Sequence, residues 1–227
     1  MSWTAAPTTL RRLKTRTAPK TPPAPSLSEL FSDVAWDAAG IGFLLSRLPD
    51  GAAPVLWVQD RISRIETGVP YLPGMGAVSM LRVAVNRPVD ALWAMEEGLR
   101  CAGLRAVVGE IWGDPPALSF TATKRLAMRA ESSGVPCWLL RRAAVANLSA
   151  ARDRWRVGAV PSARYALDPQ APGAPRWQAE LFRSRHAQPG IWVATYDRAT
   201  DRVDLAAPVR DGAMDARDDK QRSSATG

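Results

Sequence analysis

A chain of 227 residues with 46% apolar side chains holds enough material for one substantial core. Two cysteines and a single histidine exclude a disulfide scaffold and a Cys/His metal cluster, and they suit a reducing, cytoplasmic compartment. The net charge of +8 and pI near 10.3 point to an acidic partner, nucleic acid or a polyanionic protein face, and no apolar run approaches the roughly 18 residues needed to cross a bilayer.

The charge is unevenly placed. Residues 1–25 carry Arg11, Arg12, Lys14, Arg16 and Lys20, five prolines and no acid, the composition expected of a disordered basic arm. Its Thr-rich, acid-free character also resembles a transit peptide, the weaker of the two readings. Trp3, with no core to join, and the basic pair Arg11 and Arg12 are the arm's candidate partner contacts. Residues 210–227 balance four acids against four bases and read as a second disordered tail. Between them, a core at 26–209 keeps 21 basic and 18 acidic residues, so the basicity is largely a property of the ends.

From Ser28 the pattern becomes globular. "SELFSDVA" reads as a short strand and turn, and "WDAAGIGFLLSRL" (36–48) as a helix with Ile41, Leu44, Leu45 and Leu48 on one face. "VLWVQ" (55–59) is an apolar run of strand length, suited to a sheet covered on both sides. Residues 60–77 read as irregular, with "YLPGMGA" a short helical turn. "SMLRVAV" (79–85) is the next strand. "RPVDALWAMEEGLRCAG" (87–103) is the clearest helix, with Pro88 in its first turn, Gly103 at its end, and Val89, Leu92, Trp93 and Leu99 on its apolar face. "LRAVVGEI" (104–111) is a strand, 114–134 a loop and helix closed by glycine, and "VPCWLLR" (135–141) another strand. After that come three segments that read as consecutive antiparallel strands, at 151–160, 175–186 and 190–197, joined by Pro/Gly turns. Alternating helices and short apolar strands predict a mostly parallel α/β sheet, with an antiparallel extension on the same sheet.

Two constellations carry the functional question. The first is "RAVVGEIWG" (105–113), where an apolar strand ends in Glu110. Such an acid serves as a metal-side group beside a nucleotide or as a capped, partly solvated structural acid at a strand end. A phosphate loop would need G-x-x-x-x-G-K-[ST] between the first strand and its helix, for backbone N–H groups to curl around phosphate and a lysine to reach it. The stretch present is "FSDVAWDAAGIG" (31–42), and no lysine occurs between Lys20 and Lys124. Asp33 and Asp37 stand where the cation belongs. An acid and a phosphate charge at 4 Å repel by about 4 kcal/mol at an effective dielectric of 20. The second constellation is the arginine-rich stretch 141–190, in which Arg152, Arg154 and Arg156 alternate along a strand and so share a face, with Arg183 and Arg185 further on and Trp155, Tyr165, Trp177 and Phe182 interleaved. These five arginines are the candidate nucleic-acid contacts; the alternative is a solvated face whose other side packs the aromatics. Ser184 and His186 lie too close in sequence for a hydrolase triad, and "GMG" (74–76) lacks the third glycine of a dinucleotide fingerprint. Trp36, Trp57, Trp93, Trp138 and Trp192 fall in predicted elements and are expected mostly in the core.

The segments "VLWVQD" (55–60), "PVDALWAMEEGLRCAGLRAVVGEIWG" (88–113), "LSFTATKRLAMRAESSGVPCWLLR" (118–141) and "RWQAELFRSRHAQPGIWV" (176–193) resemble the ImuA family, a RecA-like branch related to the SulA division inhibitors. The resemblance implies a RecA-like core with a degenerate phosphate loop. Glu110 would be a vestige of the metal-side acid, with no cofactor, no metal and no catalysis. It further implies a role in damage-induced (SOS) mutagenesis, as an adaptor of translesion synthesis. Its partners would be an error-prone polymerase assembly, made of a Y-family-like protein and a C-family polymerase, and RecA as a further contact. Three other readings stay open: a DNA-binding module, a noncanonical ATPase borrowing a cation such as Arg61, and a SulA-like division inhibitor.

Overall fold

A computed structural model describes residues 25–75, 78–165, 167–168, 170–197 and 202–206. The readings of 1–25 and 210–227 as tails, and the contacts assigned to Trp3, Arg11 and Arg12, lie outside the described residues. The order is β1 (Leu27–Ser32), α1 (Ala39–Ser46), β2 (Val55–Gln59), α2 (Arg61–Thr67), a 3-10 turn (Leu72–Met75), β3 (Met80–Ala84), α3 (Pro88–Gly98), β4 (Ala106–Trp112), α4 (Phe120–Ser133), β5 (Cys137–Arg142), β6 (Asp153–Val160), β7 (Arg176–Ser184), β8 (Gly190–Asp197) and β9 (Arg202–Ala206).

The described strands form one mixed sheet in the order β3-β2-β4-β5-β1-β6-β7-β8-β9. The first six in that order run parallel, and β7, β8 and β9 continue it antiparallel. This is the α/β architecture expected from the alternation of elements, and it is consistent with a RecA-like core. The strand at 151–160 differs from its expected role. It lies parallel to β1 on one side and antiparallel to β7 on the other, and so joins the two halves of the sheet.

Central strands are buried on both faces, which is why β2 and β5 read as unbroken apolar runs. One core lies under α1, where Leu30, Phe43, Trp57, Val108, Trp138, Leu140, Trp155 and Trp192 meet. A second lies under α3 and α4 and holds Leu56, Leu92, Met95, Val107, Leu126 and Leu139. Glycine at Gly109 leaves room for close helix–sheet contact, because a Cβ there would press on the buried Met95 side chain of α3. The helix ends follow local chemistry. Ser119 Oγ accepts from the Ala122 amide at the start of α4, and Gly134, at φ +76°, closes that helix.

Residues 61–67 form a helix where irregular chain was expected. Asp60 caps it by accepting from the Ser63 amide at 2.7 Å, and Gly68 stops it. Its only buried residue is Ser63; Ile62 and Ile65 lie three apart but are both exposed, so the helix has no buried apolar face. Two tryptophans also depart from expectation: Trp36 is 71% exposed and Trp93 66%, while Trp57, Trp138 and Trp192 are core. On α3 the inward stripe is Ala91, Leu92, Met95 and Leu99, which turns Val89 and Trp93 outward.

Candidate functional site

The carboxyl ends of β1, β2, β4 and β5 meet where an open parallel sheet ordinarily receives a ligand. Strand register sets Glu110 of β4 beside Gln59 of β2 and Leu140 of β5. Its side chain faces α1, on the side of Trp57 and Val108, and is fully buried. The expectation of a capped acid is met, but that of partial solvation is corrected. Oε2 accepts from Gln59 Nε2 at 2.8 Å and from Trp57 Nε1 at 3.3 Å. Oε1 accepts from Arg142 Nε at 2.8 Å and from Thr67 Oγ1 at 3.1 Å. Gln59, Trp57 and Arg142 each donate to the carboxylate, and the single Thr67 hydroxyl proton is shared between Oε1 and the nearer Ser63 carbonyl, an arrangement that makes a buried charge tolerable.

Arg142 is the pivot of this region. Its guanidinium is buried, ion-pairs with Glu110, and donates from Nη1 to the carbonyl oxygens of Ala35 at 2.9 Å and Asp37 at 2.6 Å. These carbonyls belong to the turn between β1 and α1, where a phosphate loop would lie. A phosphate site needs N–H groups facing inward. Here the turn aims carbonyl oxygens inward, and a cation of the chain itself fills the space. Asp37 completes the reversal: Oδ1 accepts from the Ala39 amide at 2.8 Å, at the start of α1, and Oδ2 from the Ala159 amide at 3.1 Å. The helix N-terminus that would face an anion thus carries a carboxylate already. Asp33 pairs loosely with Arg156 at 3.9 Å. Burial holds its carboxyl above the ordinary range, Arg156 opposes this, and Glu180 and Asp37 add to the rise.

A second buried charge cluster lies on the opposite face of the sheet. Glu29 of β1 sits between Arg154 of β6, at 2.7 Å, and Arg141 of β5, at 3.7 Å. Arg141 also reaches Asp114 at 2.6 Å, and burial lowers its pKa, with Glu29 and Asp114 opposing. Arg154 lies over the rings of Phe31 and Phe182. Phe182 is the extra residue of a β-bulge that shifts the β6–β7 register between Arg154 and Trp155.

The five arginines assigned to nucleic acid are therefore divided. Arg154 is corrected: it is buried and paired, and it leaves the surface row that strand alternation predicted. Arg156 is exposed but held by Glu180 at 2.8 Å. Arg152 is half-buried and bonded to Glu131 of α4 at 2.6 Å. Arg183 and Arg185 are exposed at the end of β7, close to Arg152. Arg61, the proposed substitute cation, is exposed at the start of α2. Among the described residues no group of three or more His, Cys, Asp or Glu side chains is placed to hold a metal ion.

The roles of Arg142, Arg141 and Glu29 were not anticipated. A signal existed. "WLLRR" ends a buried strand with two arginines on opposite faces, and "LSELF" and "VVGEI" each place one acid inside an apolar strand. Charges inside such runs seldom stay unpaired. A scan against protein-family models finds no match, and a search of curated proteins finds none either.

Proposed function

We propose that this chain is a non-catalytic adaptor of damage-induced mutagenesis, the role implied by its resemblance to the ImuA family. One observation carries the non-catalytic part. Arg142 occupies the turn ahead of α1, its Nη1 bonded to Ala35 and Asp37 and its Nε to Glu110, where a nucleotide phosphate would otherwise be held. A triphosphate entering there would have to displace a buried, hydrogen-bonded ion pair and then meet Asp37 and inward carbonyls. Breaking such a pair costs about 3–5 kcal/mol before any new contact forms. The scaffold is thus available for assembly and not for turnover. On this reading the chain works in the cytoplasm, without nucleotide or metal, alongside a Y-family-like protein and a C-family polymerase, with RecA as a further contact. Among the described residues no helix is long and apolar enough to cross a membrane.

Equilibrium titration with a fluorescent ATP analogue and Mg²⁺ tests the first half: no saturable binding is expected up to about 1 mM. ATP hydrolysis by the purified chain, abolished by Glu110→Gln, would defeat the reading and favour a noncanonical ATPase. Affinity capture from damage-treated cells tests the second half, and recovery of the polymerase components is the expected result.

A further inference from the structure

A groove of about 400 Å³ runs along α4, beside the segment that connects β5 to β6. Phe120, Lys124 and Met128 line it from α4 at a spacing of four residues, so they share one side of that helix. Phe120 is 44% exposed and Met128 57%. The other wall carries Arg152, Arg183 and Arg185. All four charged residues in the lining are basic. The nearby acid, Glu131, is engaged with Arg152.

The basic end is held in place before any partner arrives. The Arg185 amide donates to the Arg152 carbonyl at 2.9 Å, and Arg183 Nη1 reaches the Ser149 carbonyl at 3.4 Å. Ser184 Oγ donates to Asp153 at 2.6 Å and accepts from the His186 and Ala187 amides, which fixes the turn bearing Arg185. A site whose backbone is ordered in advance loses less entropy on binding.

We propose that this groove docks a short acidic segment of a partner protein that carries one apolar anchor. The anchor would rest on Phe120 and Met128, and the flanking carboxylates would meet Lys124, Arg152, Arg183 and Arg185. Charge complementarity selects an acidic partner. The floor selects a peptide. It offers one aromatic ring and one adaptable thioether, a socket for a single side chain, whereas single-stranded nucleic acid calls for successive stacking rings. The described part of the chain carries an excess of only three basic residues over acidic ones, so the positive field is local and suited to a short segment. The inference rests on the adaptor reading for the partner's being a protein. Arg142 is not among the groove's lining residues, so nucleotide binding would sink the adaptor reading, whereas loss of peptide binding would sink this inference alone.

The test selects displayed random peptides of about twelve residues on the full chain and measures the enriched peptides by fluorescence anisotropy. Oligo-dT serves as the nucleic-acid arm. Enriched peptides should combine several Asp or Glu residues with one large apolar residue. The exposed double variant R183E/R185E should weaken them by about tenfold or more, and Met128→Ser by about threefold. Replacing the anchor by serine should remove the Met128 effect. Thermal denaturation checks that both variants fold, and Arg100→Glu serves as a control far from the groove. Failure to enrich acidic peptides, affinities indifferent to both variants, or oligo-dT binding that displaces the peptides would each overturn the proposal.

Discussion

Among the described residues lie two buried acid–arginine clusters, one on each face of the same sheet, and they are satisfied to different degrees. In the cluster around Glu110, both carboxylate oxygens are hydrogen-bonded by protein donors, and Arg142 also bonds two carbonyls of the turn ahead of α1. In the cluster around Glu29, Glu29 Oε1, Arg141 Nε and Arg154 Nη2 are buried without a hydrogen-bond partner. Similar residues therefore give a closed network on one face and an incomplete one on the other. The closed network ties three strands to the first turn and fixes its shape. The incomplete one is sited where Phe31 and Phe182 cover the guanidinium of Arg154, so that ring faces replace part of the missing hydrogen bonding.

That contrast can be broken experimentally. Arg142→Met should have the largest effect, a loss of about 3–5 kcal/mol measured by urea denaturation, because Glu110 is left as an uncompensated buried charge. Adding Glu110→Gln should restore a large part of it. On the other face, the double change E29M/R154M should be neutral or stabilising by up to about 2 kcal/mol, since it removes unsatisfied polar atoms along with the pair. The matching double change E110M/R142M should be destabilising, and equal effects of the two double changes would show the clusters to be equivalent and end the comparison. Asp114→Asn should cost about 1 kcal/mol, because Arg141 loses a charged partner at the edge of the incomplete cluster while the Val145 amide keeps an acceptor.

The smallest expected effect concerns Asp33. Its raised pKa means that the native state binds this proton more tightly than the unfolded chain does. The associated stability is full below the unfolded pKa and is lost as pH rises through the folded one. Asp33→Asn should therefore be neutral or slightly stabilising at neutral pH, within about 0.5 kcal/mol, and should remove a contribution that falls with pH, so that the urea midpoint rises more steeply with pH in the acid range. A shallower rise in the variant would show that the carboxylate is stabilised by Arg156.

Much of the architecture was legible because burial imposes composition. "VLWVQ" must be a central strand: five residues cannot all be apolar or amide-bearing at a solvated edge, and here all five are buried. Pro88 and Gly134 mark helix limits through their own backbone restrictions. The missing lysine was also readable, since a phosphate loop depends on residue types at fixed spacing. Other features escaped for physical reasons. The helix at 61–67 owes its existence to the Asp60 cap and to hydrogen bonds around Ser63 and Thr67, and it has no buried apolar face. Arg154 and Arg142 looked alike along the chain, as arginines on strands, and nothing local says that each finds its acid on a neighbouring strand distant in sequence.

The sequence by itself determined most of the helices and strands and the lack of a phosphate-binding lysine, because these follow from residue type and period over short windows. Only the tertiary structure decided that Glu110 is sealed by Arg142, that Arg154 is interior, and that Lys124, Arg152, Arg183 and Arg185 share a groove. Those facts depend on which strands lie side by side. In this sheet β1 is inserted between β5 and β6, so its neighbours come from far along the chain, and pairing at that range is set by the packing of the whole fold.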